Sequence, residues 1–171
     1  MKNANRVRRI IAEVRSHPWA IEPQRMVDVM EVLALQASGD GLTPDEIAAY
    51  LDVEARGKPR VTSASGGAIA VIGVRGILAH RAEMVNDVSG PGGTSMEGLS
   101  ARLSAAVSSA DVAAVVLDVD SPGGSVAGLV EMAQEIYDAR EKKRVVAVVN
   151  AHAASAAYWL ASQASEIVTT P

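Results

Sequence analysis

Val112-Ala113-Ala114-Val115-Val116-Leu117-Asp118-Val119 runs into Asp120-Ser121-Pro122-Gly123-Gly124, and this stretch decides the fold. A β-branched apolar run stopped by Pro-Gly-Gly reads as a buried strand entering a tight turn, with a helix predicted over 125–140. Working outward, 144–149 is a second apolar strand, 154–163 a helix and 166–169 a further strand. Upstream, Ala68 to Val74 reads as a strand and Thr94 to Ser109 as a helix, with Thr94 and Glu97 spaced for a capping box. Strands alternating with helices in this way predict α/β units around a mostly parallel sheet.

Residues 1–60 read differently, as an N-terminal helical appendage ahead of the α/β part at 61–171. Arg6 to Val14 is a short basic amphipathic piece, broken by His17-Pro18. Pro23 to Leu35 resumes a helix, with Met26, Val29, Met30, Val32 and Leu33 on one apolar stripe. Thr43-Pro44-Asp45-Glu46 supplies an N-cap, a proline at the first helical position and a capping-box glutamate for Ile47 to Leu51. Arg56 to Gly67 reads as a polar linker, and 77–95, with Gly90, Pro91, Gly92 and Gly93, as a loop.

Composition narrows the function classes. Of 171 residues, 49% are hydrophobic and only 3% aromatic, with no Phe, so the core must be built from Val, Ala, Ile and Leu. The formal net charge of −4 gives no reason to expect nucleic-acid binding. Arg6, Arg8, Arg9 and Arg15 could meet an acidic partner or simply form a solvated helix face. With no Cys, neither a disulfide nor a thiolate metal site is available. The first residues lack the apolar core of a signal peptide, which predicts a cytoplasmic protein. Residues 145–165 carry no Asp, Glu, Lys or Arg and are long enough to span a bilayer. The polar residues scattered there, from Asn150 and His152 to Ser165, instead favour a buried strand, turn and helix.

Two places offer chemistry. Gly123 and Gly124 follow a strand and lack a Cβ, so a ligand can approach their N–H groups closely, and the start of the next helix would favour negative charge there. A plain strand-to-helix turn, with Ser125 as N-cap, explains the same residues. Ser155, in Ala153-Ala154-Ser155-Ala156-Ala157, stands at a strand's C-terminal end, where reactive groups of open α/β sheets collect. A small residue that lets a helix pack on the sheet is the alternative. Candidate bases are poor. His152 has no evident carboxylate to orient it, and His17 and His80 read as surface residues. Lys142 and Lys143 belong to a charged run that caps the preceding helix. Asp118 and Asp120 share a strand face and read as solvent-facing carboxylates.

The stretch from Val115 to Gly124 resembles the oxyanion turn of the S49 serine peptidases, the family of signal peptide peptidase A and of phage head-maturation proteases. Val146-Ala147-Val148-Val149-Asn150, leading to Ala153-Ala154-Ser155-Ala156-Ala157-Tyr158-Trp159-Leu160-Ala161, resembles that family's nucleophile segment. The match covers roughly 68–171, and Trp19-Ala20-Ile21 before a helix is similar to phage members. The resemblance implies a ClpP/crotonase-like fold, a repeated ββα superhelix with a mostly parallel sheet. It also implies a Ser–Lys endopeptidase with Ser155 as nucleophile and backbone N–H groups of Gly123 or Gly124, with Ala156, as oxyanion hole. Ser155-Ala156-Ala157 departs from the Ser-Gly-Gly of many membrane-bound relatives and fits the phage type. The lysine base is expected roughly fifty residues beyond the serine, past Pro171, so the 171 residues alone are expected to be inactive. The resemblance further implies protein substrates, such as capsid or scaffold proteins, and a homo-oligomer. No cofactor, metal, nucleic acid or stable membrane insertion is expected. A ClpP-like Ser–His–Asp peptidase, a crotonase-like acyl-CoA enzyme and a non-catalytic capsid-assembly module on the same fold remain alternatives.

Overall fold

A computed structural model of the chain describes residues 8, 10–12, 14–38, 42, 43, 46, 47, 49, 60–64, 67–81 and 93–170, with 60–64 described in backbone only. Its elements are β1 (Trp19–Ile21), α1 (Pro23–Ser38), β2 (Arg60–Ala64), β3 (Gly67–Arg75), β4 (Leu78–Ala79), β5 (Thr94–Ser95) and α2 (Met96–Ser108). Then come β6 (Val112–Ser121), β7 (Gly123–Ser125), α3 (Leu129–Lys142), β8 (Arg144–Ala153), α4 (Ala156–Ala161) and β9 (Glu166–Thr169). Parallel strands carry the α/β class that the sequence predicts: β3, β6, β8 and β9 run parallel in that order, with β2 antiparallel on the β3 edge.

Strand order along this sheet follows chain order. Crossovers of one hand therefore put every connecting helix on the same face. Val115, Leu117 and Val119 of β6 point to that face and are 0–1% exposed. Ile72 and Val74 of β3 and Val145 and Ala147 of β8 flank them, under Leu99 and Leu103 of α2, Met132 and Ile136 of α3, and Leu160 of α4. Alanines at 133, 139, 156, 157 and 161 are buried in the same cluster, so the helices lie close to the sheet. A second cluster joins Val14, Val29, Val32, Leu33, Ile47 and Ile77, seating α1.

Several local expectations shift. The 56–67 linker contains β2, which pairs with β3 from Arg60 opposite Val71 to Ala64 opposite Gly67. The N-terminal part is not purely helical, since Trp19–Ile21 is a strand paired antiparallel with Gly123–Ser125. Within the 77–95 loop, β4 and β5 pair in parallel, while 82–92 lies outside the described residues. The cap of α2 is Ser95 rather than Thr94: the Ser95 hydroxyl accepts from Gly98 N–H, and Thr94 instead bonds both backbone groups of Arg75 at 2.9 Å. The helix predicted from 125 begins only at Leu129, behind Gly128 at φ 76°. The charge-free 145–165 stretch divides into β8 and α4, and no helix among the described residues is long and apolar enough to cross a membrane.

Candidate active site

β6 delivers the turn and β8 delivers the serine, because the two strands are direct parallel neighbours. Their register shifts after Val119, placing Ser121 opposite Ala153, and Ala154 N–H donates to Ser121 C=O at 3.0 Å. The Ser121 side chain is fully buried. Its hydroxyl donates to Gly76 C=O at 2.6 Å and accepts from Gly123 N–H at 3.2 Å, pinning the turn from inside.

Gly123 has φ +101°, a conformation that L side chains rarely adopt. A Cβ there would stand 2.3 Å from Ala20 O, 3.1 Å from Ala154 O and 3.2 Å from Ala156 N. The absent side chain therefore lets the turn touch both peptide groups that flank Ser155. Gly124 is as confined on its other side, where a Cβ would meet Leu78 O at 2.0 Å. The two stretches that sequence alone sets side by side are in contact.

Ser155 itself sits at φ 52° and ψ −114°, the one non-glycine residue with positive φ among those described. Such a conformation persists only where its surroundings over-determine it. Here the fixed side is Ala156 and Ala157, both 0% exposed at the start of α4, while Ser155 is exposed. Its hydroxyl makes no capping bond to α4. The site's polarity comes from the α4 start and the turn amides. The start of α3 lies beyond Gly128, so the helix-terminus field expected at Gly123 and Gly124 is not supplied there.

The other candidates fall into place around this. His152, at the end of β8, has Nε2 3.0 Å from Glu22 Oε1, although the two are poorly aligned for a hydrogen bond. Glu22 is thus a carboxylate that sequence reasoning missed, brought in by the chain just after β1. Asp118 is not simply solvent-facing: one carboxylate oxygen pairs with Arg75 and the other accepts from Asn150. Lys143 Nζ is committed elsewhere, to the carbonyls of Ala106, Ser109 and Val112. Ser121, Ala20 and Glu22 carry no sequence signal of their own, since each acts through a pairing distant in the chain.

No family model matches the chain. It is 38% identical over 137 residues, 78% of its length, to capsid assembly protease C of Escherichia phage lambda. Over 102 residues it is 42% identical to the head-tail preconnector protein GP5 of Enterobacteria phage P21, and over 108 residues 37% identical to Protease 4 of Salmonella typhi. The chain spans only 30%, 20% and 16% of those three proteins respectively. A turn and a strained serine in contact, in a chain with this kinship, make it a homologue of the S49-type peptidases, the group of the phage head-maturation proteases.

Proposed function

We propose that these residues form the nucleophile half of a Ser–Lys endopeptidase that matures phage or prophage capsids in the bacterial host cytoplasm. Ser155 is the nucleophile. The N–H groups of Ala156 and of Gly123 or Gly124, the glycine donor first leaving Ser121 Oγ or the Ala20 carbonyl, stabilise the oxyanion as Ser155 Oγ adds to the scissile carbonyl. The observation that carries this is the positive φ of Ser155 beside a glycine turn with no room for a Cβ. Strain held at an exposed hydroxyl, against backbone donors, is the arrangement acyl transfer needs. The general base is a lysine beyond position 171, which lets the alkoxide form near neutral pH if burial lowers its pKa. Among the described lysines, Lys143 is bound to three carbonyls and Lys142 lies on exposed α3 surface.

Substrates are extended segments of capsid or scaffold proteins, a reading supported by the names of the two phage relatives. The test is co-expression of the full gene product with its capsid and scaffold proteins. Fragments are expected with the natural sequence and absent with Ser155→Ala. Fragmentation that persists in Ser155→Ala sinks the assignment. A crotonase-like acyl-CoA activity would likewise survive that substitution.

A further inference from the structure

β7 has both edges covered. β4 lies parallel on one side, with Leu78 opposite Gly124, and β1 lies antiparallel on the other, with Ala20 opposite Gly124. Glu22 N–H donates to Pro122 C=O at 3.1 Å and Val126 N–H donates to Pro18 C=O at 3.2 Å. In an antiparallel ladder, bonded pairs recur at every second residue. Ala20 and Gly124 stand midway between these two bonds and form the bonded pair, so the Ala20 carbonyl takes the Gly124 N–H. That carbonyl also reaches within 2.3 Å of the point where a Gly123 Cβ would be, the same point that lies 3.2 Å from Ala156 N. A peptide carbonyl from far upstream therefore sits against the group of amides that the proposed mechanism uses as oxyanion donors.

The means by which β1 is held are equally telling. Its residues alternate: Ala20 packs towards the main core, while Trp19 and Ile21 pack on the second cluster. Trp19 Nε1 donates to Val14 C=O at 2.8 Å, anchoring the strand away from the site. β1 is three residues long, partly exposed throughout, and bounded by Pro18 and Pro23, which have no N–H to extend the ladder. Glu22 continues the contact to the serine side through His152.

We propose that Trp19–Ile21 is a displaceable internal ligand of β7, occupying the edge on which an extended peptide pairs antiparallel with Gly123–Ser125. When β1 lifts off, Gly124 N–H is released and the edge accepts a peptide backbone, with a small side chain favoured at the Ala20 position, where it packs against the main core. The peptide is a substrate only insofar as the peptidase reading holds; the pairing itself does not depend on it.

The direct test is binding of a fluorescein-labelled peptide, Pro-Trp-Ala-Ile-Glu-Pro, to the 171-residue chain, read by anisotropy. Trp19→Ala, which loosens β1 from outside the site, should bind it at least about tenfold more tightly than the natural chain, because competition with the tethered strand is relieved. The same peptide N-methylated at its alanine should bind neither. Equal affinity for both chains, or binding that survives N-methylation, overturns the proposal. Should Trp19→Ala fail to fold, amide exchange in the natural chain decides. Gly124 N–H should exchange at least about tenfold faster than Leu117 N–H in the core of β6, since local opening frees it without global unfolding. Equal protection would mean that β1 is a fixed strap. Neither readout uses the Ser155 hydroxyl, so a failure of hydrolysis leaves this test intact.

Discussion

A serine at φ 52° and ψ −114° carries a conformational cost that glycine would not. Ser155→Gly and Ser155→Ala both remove the hydroxyl, but only the first relieves the backbone. Ser155→Gly should therefore be more stable than Ser155→Ala by about 1 kcal/mol, measured by urea denaturation. Equal stability would show that Ser155 is not strained. Gly123 has the opposite sensitivity. An added methyl must move Ala20 O from 2.3 Å and force a side chain onto φ +101°. Gly123→Ala should lower stability by about 1–3 kcal/mol and cut Ser155-dependent cleavage by about 10²-fold or more, through displaced oxyanion donors. Activity near that of the natural protein would remove the turn from the mechanism. Ser121 belongs at this scale too. Its buried hydroxyl joins Gly76 to Gly123, and nothing in Asp120-Ser121-Pro122 marks it in sequence, because its partner comes from the end of a different strand.

Elements show where reading the sequence stops working. Apolar β-branched runs bounded by turn residues place β3, β6 and β8, and with them the three core helices between, to within a few residues, because strands buried beneath helices need such runs. Ends are set by single hydrogen bonds that the pattern leaves open. Thr94 and Ser95 are chemically similar caps, and Thr94 is taken because Arg75 offers it two backbone partners. β1 and β2 are too short, or too polar, to show a period before their partners are known. The Thr43–Glu46 capping box does form: Glu46 accepts from Thr43 N–H at 2.7 Å and from its hydroxyl at 2.8 Å. Those bonds, the backbone one foremost, hold the Glu46 carboxyl below the usual carboxylate range. Its pKa is lower folded than unfolded, so its support for the cap is present above the ordinary value and lost as pH falls through the lowered one. Exchange at the Ile47 amide should accelerate across that acid window and lose the dependence in Glu46→Gln. On a different helix, Lys143 serves the C-terminal end of α2, where its ammonium meets the carbonyls of Ala106, Ser109 and Val112. Lys143→Met should cost about 2 kcal/mol in thermal or urea unfolding, since charge-assisted bonds to three partly buried carbonyls are lost.

At the scale of the molecule, a sheet that keeps its helices on one side has a second face and two edges to account for. On the face away from the helices, Val71, Val116, Val146 and Val148 are only half-buried, with Val168 of β9 continuing the row at 41% exposure. β2, antiparallel on β3, forms one edge. β9 is the other: all four of its residues are exposed, and β8 is its one strand partner among the described residues. Ile167 on the helix side is 39% exposed, so a strand with an apolar residue on each face, beside a Glu166 already paired with Arg144, presents its outer edge. A strand of this kind, with Ile167 and Val168 exposed and no charge on its helix side, is a template for pairing with a second chain. The 171-residue chain should therefore associate in a concentration-dependent way through β9. Val168→Lys places a charge on the unpartnered face without touching the helix side or the site, and should shift sedimentation towards the monomer while leaving the unfolding midpoint within about 0.5 kcal/mol of the natural chain. If Val168→Lys sediments like the natural chain, association, where present, uses another surface, and the half-buried valine face becomes the next to substitute.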